Sequence, residues 1–180
     1  MDDPIIISLQ FDEEMSAFFE AQREKHYPAA INNVPAHLTL FHNLPGTHFD
    51  EVLQIIGRTA ATQYGFPISA TEVMRLGRGV AYRVSGPPLL PLRAKLVKSL
   101  GPWLTGQDRQ GFRPHVTIQN KVSIQEAMAL HAHLSEEFSP RSGWATGLQI
   151  WRYQGPRGRS GHWQPAGAFG FREVAERAKS

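Results

Sequence analysis

The chain has 180 residues, a formal net charge of +3 and 41% apolar residues, which suits a soluble globular protein of one domain or two small lobes sharing a core. The absence of Cys excludes disulfides, thiolate metal sites and a cysteine nucleophile. The mild positive charge favours an anionic ligand but falls short of a nucleic-acid-coating protein.

Read in chain order, Ile5 to Leu9 is a β-branched run that predicts a strand. Asp12 then opens an acidic helical turn, and Met15, Phe18, Phe19 and Ala21 give a helical stripe to about Lys25. A Pro- and Asn-containing loop leads to a strand at His37 to Phe41, a turn at Asn43 to Gly46, and a helix carrying Val52, Leu53, Ile55 and Ile56 to about Tyr64. Ile68 to Leu76 reads as a strand, joined by the tight turn Gly77-Arg78-Gly79 to its hairpin partner Val80 to Val84.

The pattern then starts again. Gly86-Pro87-Pro88 introduces a helix from about Leu89 to Leu104 with the stripe Leu92, Leu96, Val97 and Leu100. A polar loop ends at Pro114, and His115 to Gln119 is the next strand. A helix from about Ile124 to Phe138, a strand from Trp144 to Tyr153, a Gly/Arg-rich loop from Gln154 to Gly161 and a last strand from His162 to Phe169 follow. The tail from Phe171 is expected as a frayed helical turn.

Each half thus reads strand, helix, strand, helix, strand. The middle strands carry the same four-residue pattern, His37-Leu38-Thr39-Leu40 and His115-Val116-Thr117-Ile118, each just behind a proline (Pro35, Pro114). With the 8 His of this chain, its 41% apolar content and its Thr count, chance predicts roughly 0.06 copies of His-apolar-Thr-apolar. The halves are offset by 76, 78 and 76 residues at their first, second and third strands (80 − 4, 115 − 37, 144 − 68). An internal duplication follows, with repeats at about 4–76 and 80–169 inside a single bilobal unit of residues 1–180. The expected fold class is α+β: two pseudo-symmetric lobes of mainly antiparallel sheet, helices packed outside, and an active-site cleft between the lobes. Alternate side chains of a strand share a face, so His and Thr of each copy point one way and their apolar neighbours the other. A pseudo-two-fold axis between the copies brings two imidazoles and two hydroxyls around one small space.

The two motifs in their setting, Pro35-Ala36-His37-Leu38-Thr39-Leu40-Phe41-His42 and Phe112-Arg113-Pro114-His115-Val116-Thr117-Ile118-Gln119-Asn120-Lys121, resemble the two-histidine (2H) phosphoesterase superfamily, in its 2′-5′ RNA ligase-like branch. That resemblance covers essentially the whole chain and implies His37, Thr39, His115 and Thr117 as catalytic positions. It implies hydrolysis of 2′,3′-cyclic phosphates to 2′-phosphates, with 2′-5′ ligation or 2′-5′ phosphodiester cleavage as the alternative activity of the same residues. It also implies His37 as general acid to the leaving 3′-oxygen and His115 as general base toward water.

The residues themselves suit proton transfer at phosphorus. Histidine near its ordinary pKa of about 6.5 serves as either acid or base. The Thr hydroxyls can donate to non-bridging oxygens as negative charge grows. Arg113 and Lys121 are candidates for phosphate or RNA binding. Phe41, Tyr82, Trp151 and Tyr153 are candidates for base stacking. Arg78, Arg152, Arg157 and Arg159 are candidates for basic cleft walls.

No metal is expected, because His131 and His133 point to different sides of a helix and His26, His42, His48 and His162 lack ligand spacing. No cofactor is expected either: Gly77-Arg78-Gly79 joins two strands rather than a strand to a helix, and there is no Gly-Lys-Ser/Thr phosphate loop. RNA ends or small cyclic nucleotides are the expected partners of a monomeric cytoplasmic protein that does not engage membrane. A non-catalytic RNA-end-binding module is the alternative from another functional class, and an intact acid–base pair counts against it, since binding alone needs no proton transfer.

Overall fold

A computed structural model describes residues 3–155 and 162–174. Seven strands and four helices alternate along it: β1 (Ile5–Phe11), α1 (Glu13–His26), β2 (Leu38–Leu44), α2 (Phe49–Thr62), β3 (Phe66–Arg75), β4 (Val80–Ser85), α3 (Leu89–Leu100), β5 (His115–Gln119), α4 (Ile124–Glu137), β6 (Arg141–Gln154) and β7 (His162–Gly170). No described helix is long and apolar enough to cross a membrane.

Local signals account for the ends of the helices. Asp12 caps α1 by accepting from Met15 N at 3.0 Å, and its other carboxylate oxygen accepts from Trp144 N at 2.8 Å, tying α1 to β6. Ser123 and Glu126 form a reciprocal capping box at the start of α4. The third helix stops at Leu100, short of the expected Leu104, because Gly101-Pro102 diverts the chain into a 3-10 turn. β3 begins two residues earlier than expected and β6 three residues earlier, since Phe66 to Ala70 and Arg141 to Ala145 pair with each other. At the C-terminus the expected helical turn is absent from residues 171–174. The segment is extended there, with Arg172 bridged to Tyr64 and Phe171 N donating to Thr146 O at 2.8 Å.

The strands form one antiparallel sheet in the order β1-β2-β5-β4-β3-β6-β7, and β1 also pairs with β6, so six strands close into a ring with β7 added beside β6. This confirms the α+β class and corrects one expectation. The halves do not build a sheet each. Their strands interleave, with α2 and α3 against the β1-β2-β6-β7 side, and α1 and α4 against β3-β4-β5.

The pairing register repeats with two-fold equivalence. Leu38 faces Val116 where β2 meets β5, and Ile68 faces Gly143 where β3 meets β6, so each of these is a self-pairing across the axis. Leu9 faces Leu38 and Leu148, as Tyr82 faces Val116 and Val73. The bulge between Gln10 and Phe11 opposite β6 recurs between Ala70 and Glu72 opposite β4. The true offsets are 73, 78 and 75 (82 − 9, 116 − 38, 143 − 68). The motif offset stands, whereas the outer two differ from expectation by three and one residues because the ends of the apolar runs do not mark equivalent register positions.

Leu38, Leu40, Val116 and Ile118 are fully buried on the helix-facing side of the ring. Burying four such side chains, at about 1.5–3 kcal/mol each, fixes which way both motif strands face. A one-residue slip would turn the histidines into the core.

Candidate active site

With Leu38 opposite Val116 in an antiparallel pair, His37 lies across from Thr117 and Thr39 across from His115. All four side chains lie on the face opposite the buried Leu and Val. The structure therefore brings the quartet together on two adjacent strands at the two-fold axis. Same-face neighbours extend the floor: Ser8 beside Thr39 and Gln149 on one side, Ala81 beside Thr117 and Arg83 beside His115 on the other.

Both imidazoles are held in the same way. His37 Nδ1 donates to Pro35 O at 2.7 Å and His115 Nδ1 to Arg113 O at 2.6 Å. A carbonyl can only accept, so the proton of each neutral ring sits on Nδ1, and Nε2 is the atom that takes or gives a proton. Pro114 keeps Arg113 extended, the approach to His37 bends at Val34 and Ala36, and in both copies a carbonyl two residues back meets the Nδ1 edge of the ring.

The two motifs are also braced by cations from the helices, one buried and one half-buried. Arg23 on α1, nearly fully buried, donates from Nη1 to Thr117 O at 2.8 Å and from Nε to Asn32 Oδ1 at 2.8 Å, with Tyr27 under its guanidinium. One turn earlier Glu20 accepts from Ala36 N at 2.5 Å, immediately before His37. Arg93 on α3 donates to Leu40 O and to Asp108 O. The first helix of each half thus sends an arginine to the motif strand of the other half. Asp108, buried, accepts from His42 N at 2.8 Å and lies 3.2 Å from His42 Nδ1. Its carboxyl is held below the ordinary Asp value: burial acts to raise it, and the hydrogen bonds from His42 outweigh that.

The setting of His37 perturbs its ring. His37 is lowered to about 4, chiefly by desolvation. The Pro35 carbonyl opposes that, while the positive charges of Arg23, His42 and His115 add to it. His37 is therefore neutral at pH 7. An anionic phosphate would reverse the dominant penalty by giving the imidazolium a partner.

The other sequence-derived candidates divide. Phe41 is fully buried under the Arg93 guanidinium, with no face left for a nucleobase. Tyr82 is 3% exposed, packs against Phe18 and Phe138, and donates its hydroxyl to Gln22 Oε1. Neither can stack on a base, which corrects the expectation for both. They are strand residues on the helix-facing side, Phe41 because a bulge at Leu40 shifts its parity and Tyr82 because it alternates with the buried Val80 and Val84. Arg113 is exposed beside His115, and its carbonyl orients that ring. Lys121 sits beyond the far end of β5 at φ 59, where its N–H bonds Asn120 Oδ1. Six residues of strand and turn from His115 put it on the order of 20 Å away along the chain, so it serves a turn rather than the quartet. Tyr153 lies two residues beyond Trp151 on β6 and packs edge-on against Trp163. Arg78 is engaged with Val122 O, and Arg152 lies over Phe49. Arg157 and Arg159 lie outside the described residues.

Sequence reasoning missed the polar floor. Ser8, Gln10 and Gln149 alternate with apolar residues in otherwise core-like strands, a period-2 signal that was present but outweighed by the β-branched run. Arg23, Glu20 and Arg93 left no signal, since a charged residue on a helix ordinarily reads as solvated.

The 2′-5′ RNA ligase superfamily model matches residues 11–157, a span that contains both motifs. The chain belongs to this superfamily. Its fold is shared with solved structures of low identity. The Thermus thermophilus protein TT0787 aligns at TM-score 0.67 and 17% identity over 94% of this chain and 98% of that one. Escherichia coli LigT, crystallised with 3′-AMP, aligns at TM-score 0.65 and 19% identity over 95% of this chain and 99% of that one. A protein described as a phosphoesterase aligns at TM-score 0.63 and 18% identity, with 94% and 98% coverage. No curated protein matches the chain significantly. For a member of the superfamily, a pair of equivalently held imidazoles at the axis of a closed ring is the feature with chemical content.

Proposed function

We propose that this chain is a metal-independent phosphodiesterase that hydrolyses 2′,3′-cyclic phosphate ends of RNA or nucleotides to 2′-phosphates. The observation that carries the reading is the matched pair of Nδ1-to-carbonyl bonds at His37 and His115, which presets two Nε2 atoms for proton transfer on a face shared with Thr39 and Thr117. In this reaction a water oxygen attacks phosphorus and yields its proton to His115 Nε2. The bond from phosphorus to the 3′-oxygen breaks, and His37 Nε2 supplies the proton to that oxygen. The Thr39 and Thr117 hydroxyls donate to the non-bridging oxygens.

His37 acquires its proton with the substrate, because the cyclic phosphate brings the negative charge that the desolvated ring lacks. Acid function is thereby coupled to occupancy of the cleft. Both proton transfers are covered by imidazoles, so no step calls for a metal. The nucleotide in the LigT structure supports a nucleotide-type substrate for the shared fold. Joining of 2′-5′ linkages is the reverse use of the same residues, and the superfamily's description favours keeping it as the second reading.

The deciding experiment is a panel of the four 2′,3′-cyclic mononucleotides, a cyclic-phosphate-ended RNA and a 2′-5′ dinucleotide, assayed in chelator with products resolved as 2′- or 3′-phosphate. Turnover to the 2′-phosphate that disappears in His37→Ala and His115→Ala supports the proposal. Turnover that survives both substitutions, or that requires added metal, would overturn it.

A further inference from the structure

The two-fold equivalence supplies an internal comparison, because a recess flanks each motif strand and the two share some equivalent positions, Gln10 with Arg83, Phe11 with Val84 and Ala36 with Pro114. Beside His37, about 290 Å³ of space is lined by Ser8, Gln10, Ser16, Ala36, Gln149 and Trp151, among others. Beside His115, about 250 Å³ is lined by Arg83, Leu89, Phe112, Arg113 and Pro114, among others. The registers map Gln10 onto Arg83, Ser8 onto Ala81, Gln149 onto Met74 and Trp151 onto Leu76. The quartet is the same on both sides of the axis, and these flanking positions are not.

The difference has one chemical sense. Among the described residues, no Lys, Arg, Asp or Glu lines the recess beside His37, so a further phosphate placed there would find no fixed cation. It holds instead two amides, three hydroxyls and an indole, the means by which a neutral heteroaromatic ring is gripped. The other recess carries Arg113 and Arg83, the latter ion-paired with Glu72, and these cations suit the ribose–phosphate side of a substrate.

The amides are oriented. Gln149 Nε2 donates to Gly167 O at 2.8 Å and to Ile150 O at 3.1 Å, which fixes its carbonyl oxygen as an acceptor. Gln10 Nε2 donates to that oxygen at 3.1 Å. That bond uses one N–H of the Gln10 amide and leaves its carbonyl oxygen and second N–H as an acceptor and a donor, the groups with which an amide meets a nucleobase edge. Trp151 Nε1 donates to Ser8 Oγ at 2.9 Å, pinning the indole in the same recess as a stacking surface.

We infer that the recess formed by β1 and β6 beside His37 is a nucleobase subsite, with Trp151 stacking on the base and Gln10, held by Gln149, reading its edge. This rests on the proposed phosphodiesterase reading for the identity of the ligand as a nucleotide, and it adds which side of the axis the base occupies and which residues bind it.

The test is equilibrium binding, by calorimetry, of adenosine 2′-phosphate and of methyl riboside 2′-phosphate, which lacks the base. The ratio of the two affinities is read in the wild type and in Gln10→Leu, Trp151→Leu, Trp151→Phe and Met74→Leu, with thermal melts confirming that each is folded. A wild-type ratio of about ten or more is expected, since stacking on an aromatic side chain is worth roughly that much. It should collapse toward one in Trp151→Leu, fall several-fold in Gln10→Leu, and be kept in Trp151→Phe and in Met74→Leu on the other side of the axis. A wild-type ratio near one, a ratio kept in Trp151→Leu, or one lost in Met74→Leu would overturn the subsite. Because this readout needs no turnover, it remains decisive if the wild type hydrolyses no cyclic phosphate, an outcome that would sink the phosphodiesterase reading alone.

Discussion

The two halves of this chain place the same His and Thr at the same register positions and then hold them in different surroundings. Both imidazoles rest on a carbonyl two residues back, at 2.7 and 2.6 Å. The His37 half surrounds its imidazole with amides and an indole, and desolvation takes it down to about 4. The His115 half offers an Arg–Glu pair and an exposed arginine. The lesson is that a duplicated frame can keep its reacting atoms equivalent while the floor around them gives the substrate a direction. The two histidines differ here by environment, since the side chains are identical.

That comparison breaks most directly at the histidines. His37→Ala and His115→Ala should each lower kcat by about 10²–10⁴, and the double variant should cost little more than the worse single one, because the two act as a unit. Single-turnover rates on a cyclic mononucleotide check this, and additive losses would show that the two rings act independently. Thr39→Val and Thr117→Val should each cost about 10² in kcat with smaller changes in KM, as expected of donors that engage the developing charge. Unequal losses would show which strand meets the more negative oxygen.

The cross-braces come next. Arg23→Met removes the donor to Thr117 O and one of the positive charges that lower His37. A stability loss of about 1–3 kcal/mol is expected from the orphaned carbonyl, read by denaturant melts. The same variant should raise the His37 pKa, moving the His37-dependent limb of the pH–rate profile to higher pH. A purely structural brace would leave that limb in place.

The smallest effect concerns stability against pH. His37 prefers its neutral form when folded, so the unfolded chain binds the extra proton first. Its contribution is complete above the ordinary His value of about 6.5 and is lost as pH falls toward 4. His37→Gln should therefore melt with less pH dependence than the wild type between pH 6.5 and 4, and parallel curves would refute the assignment.

Periodicity and punctuation made much of this molecule legible. Every helix and strand was expected near its place, because the apolar stripe of a helix and the β-branched runs of a strand are local properties of the chain. The paired motifs were legible for the same reason: parity alone puts His37 with Thr39 and His115 with Thr117 once Leu38 and Val116 are inside. Phe41 and Tyr82 show the limit. Phe41 follows Thr39 by two residues, yet a bulge at Leu40 turns it to the opposite side, and a bulge leaves no composition signal; Tyr82 alternates with the buried Val80 and Val84 and shares their side.

The sequence by itself determined the element order, the duplication and the identity of the four residues at the axis, since each is written in local pattern or in repetition. Only the tertiary structure decided that the halves interleave into one closed ring, that an arginine from each half braces the motif of the other, and that Gln10, Gln149 and Trp151 converge beside His37. The physical reason is that these depend on long-range strand pairing and on the burial of polar groups. Both are settled by which partners are within hydrogen-bond reach, and the residue types alone do not specify that.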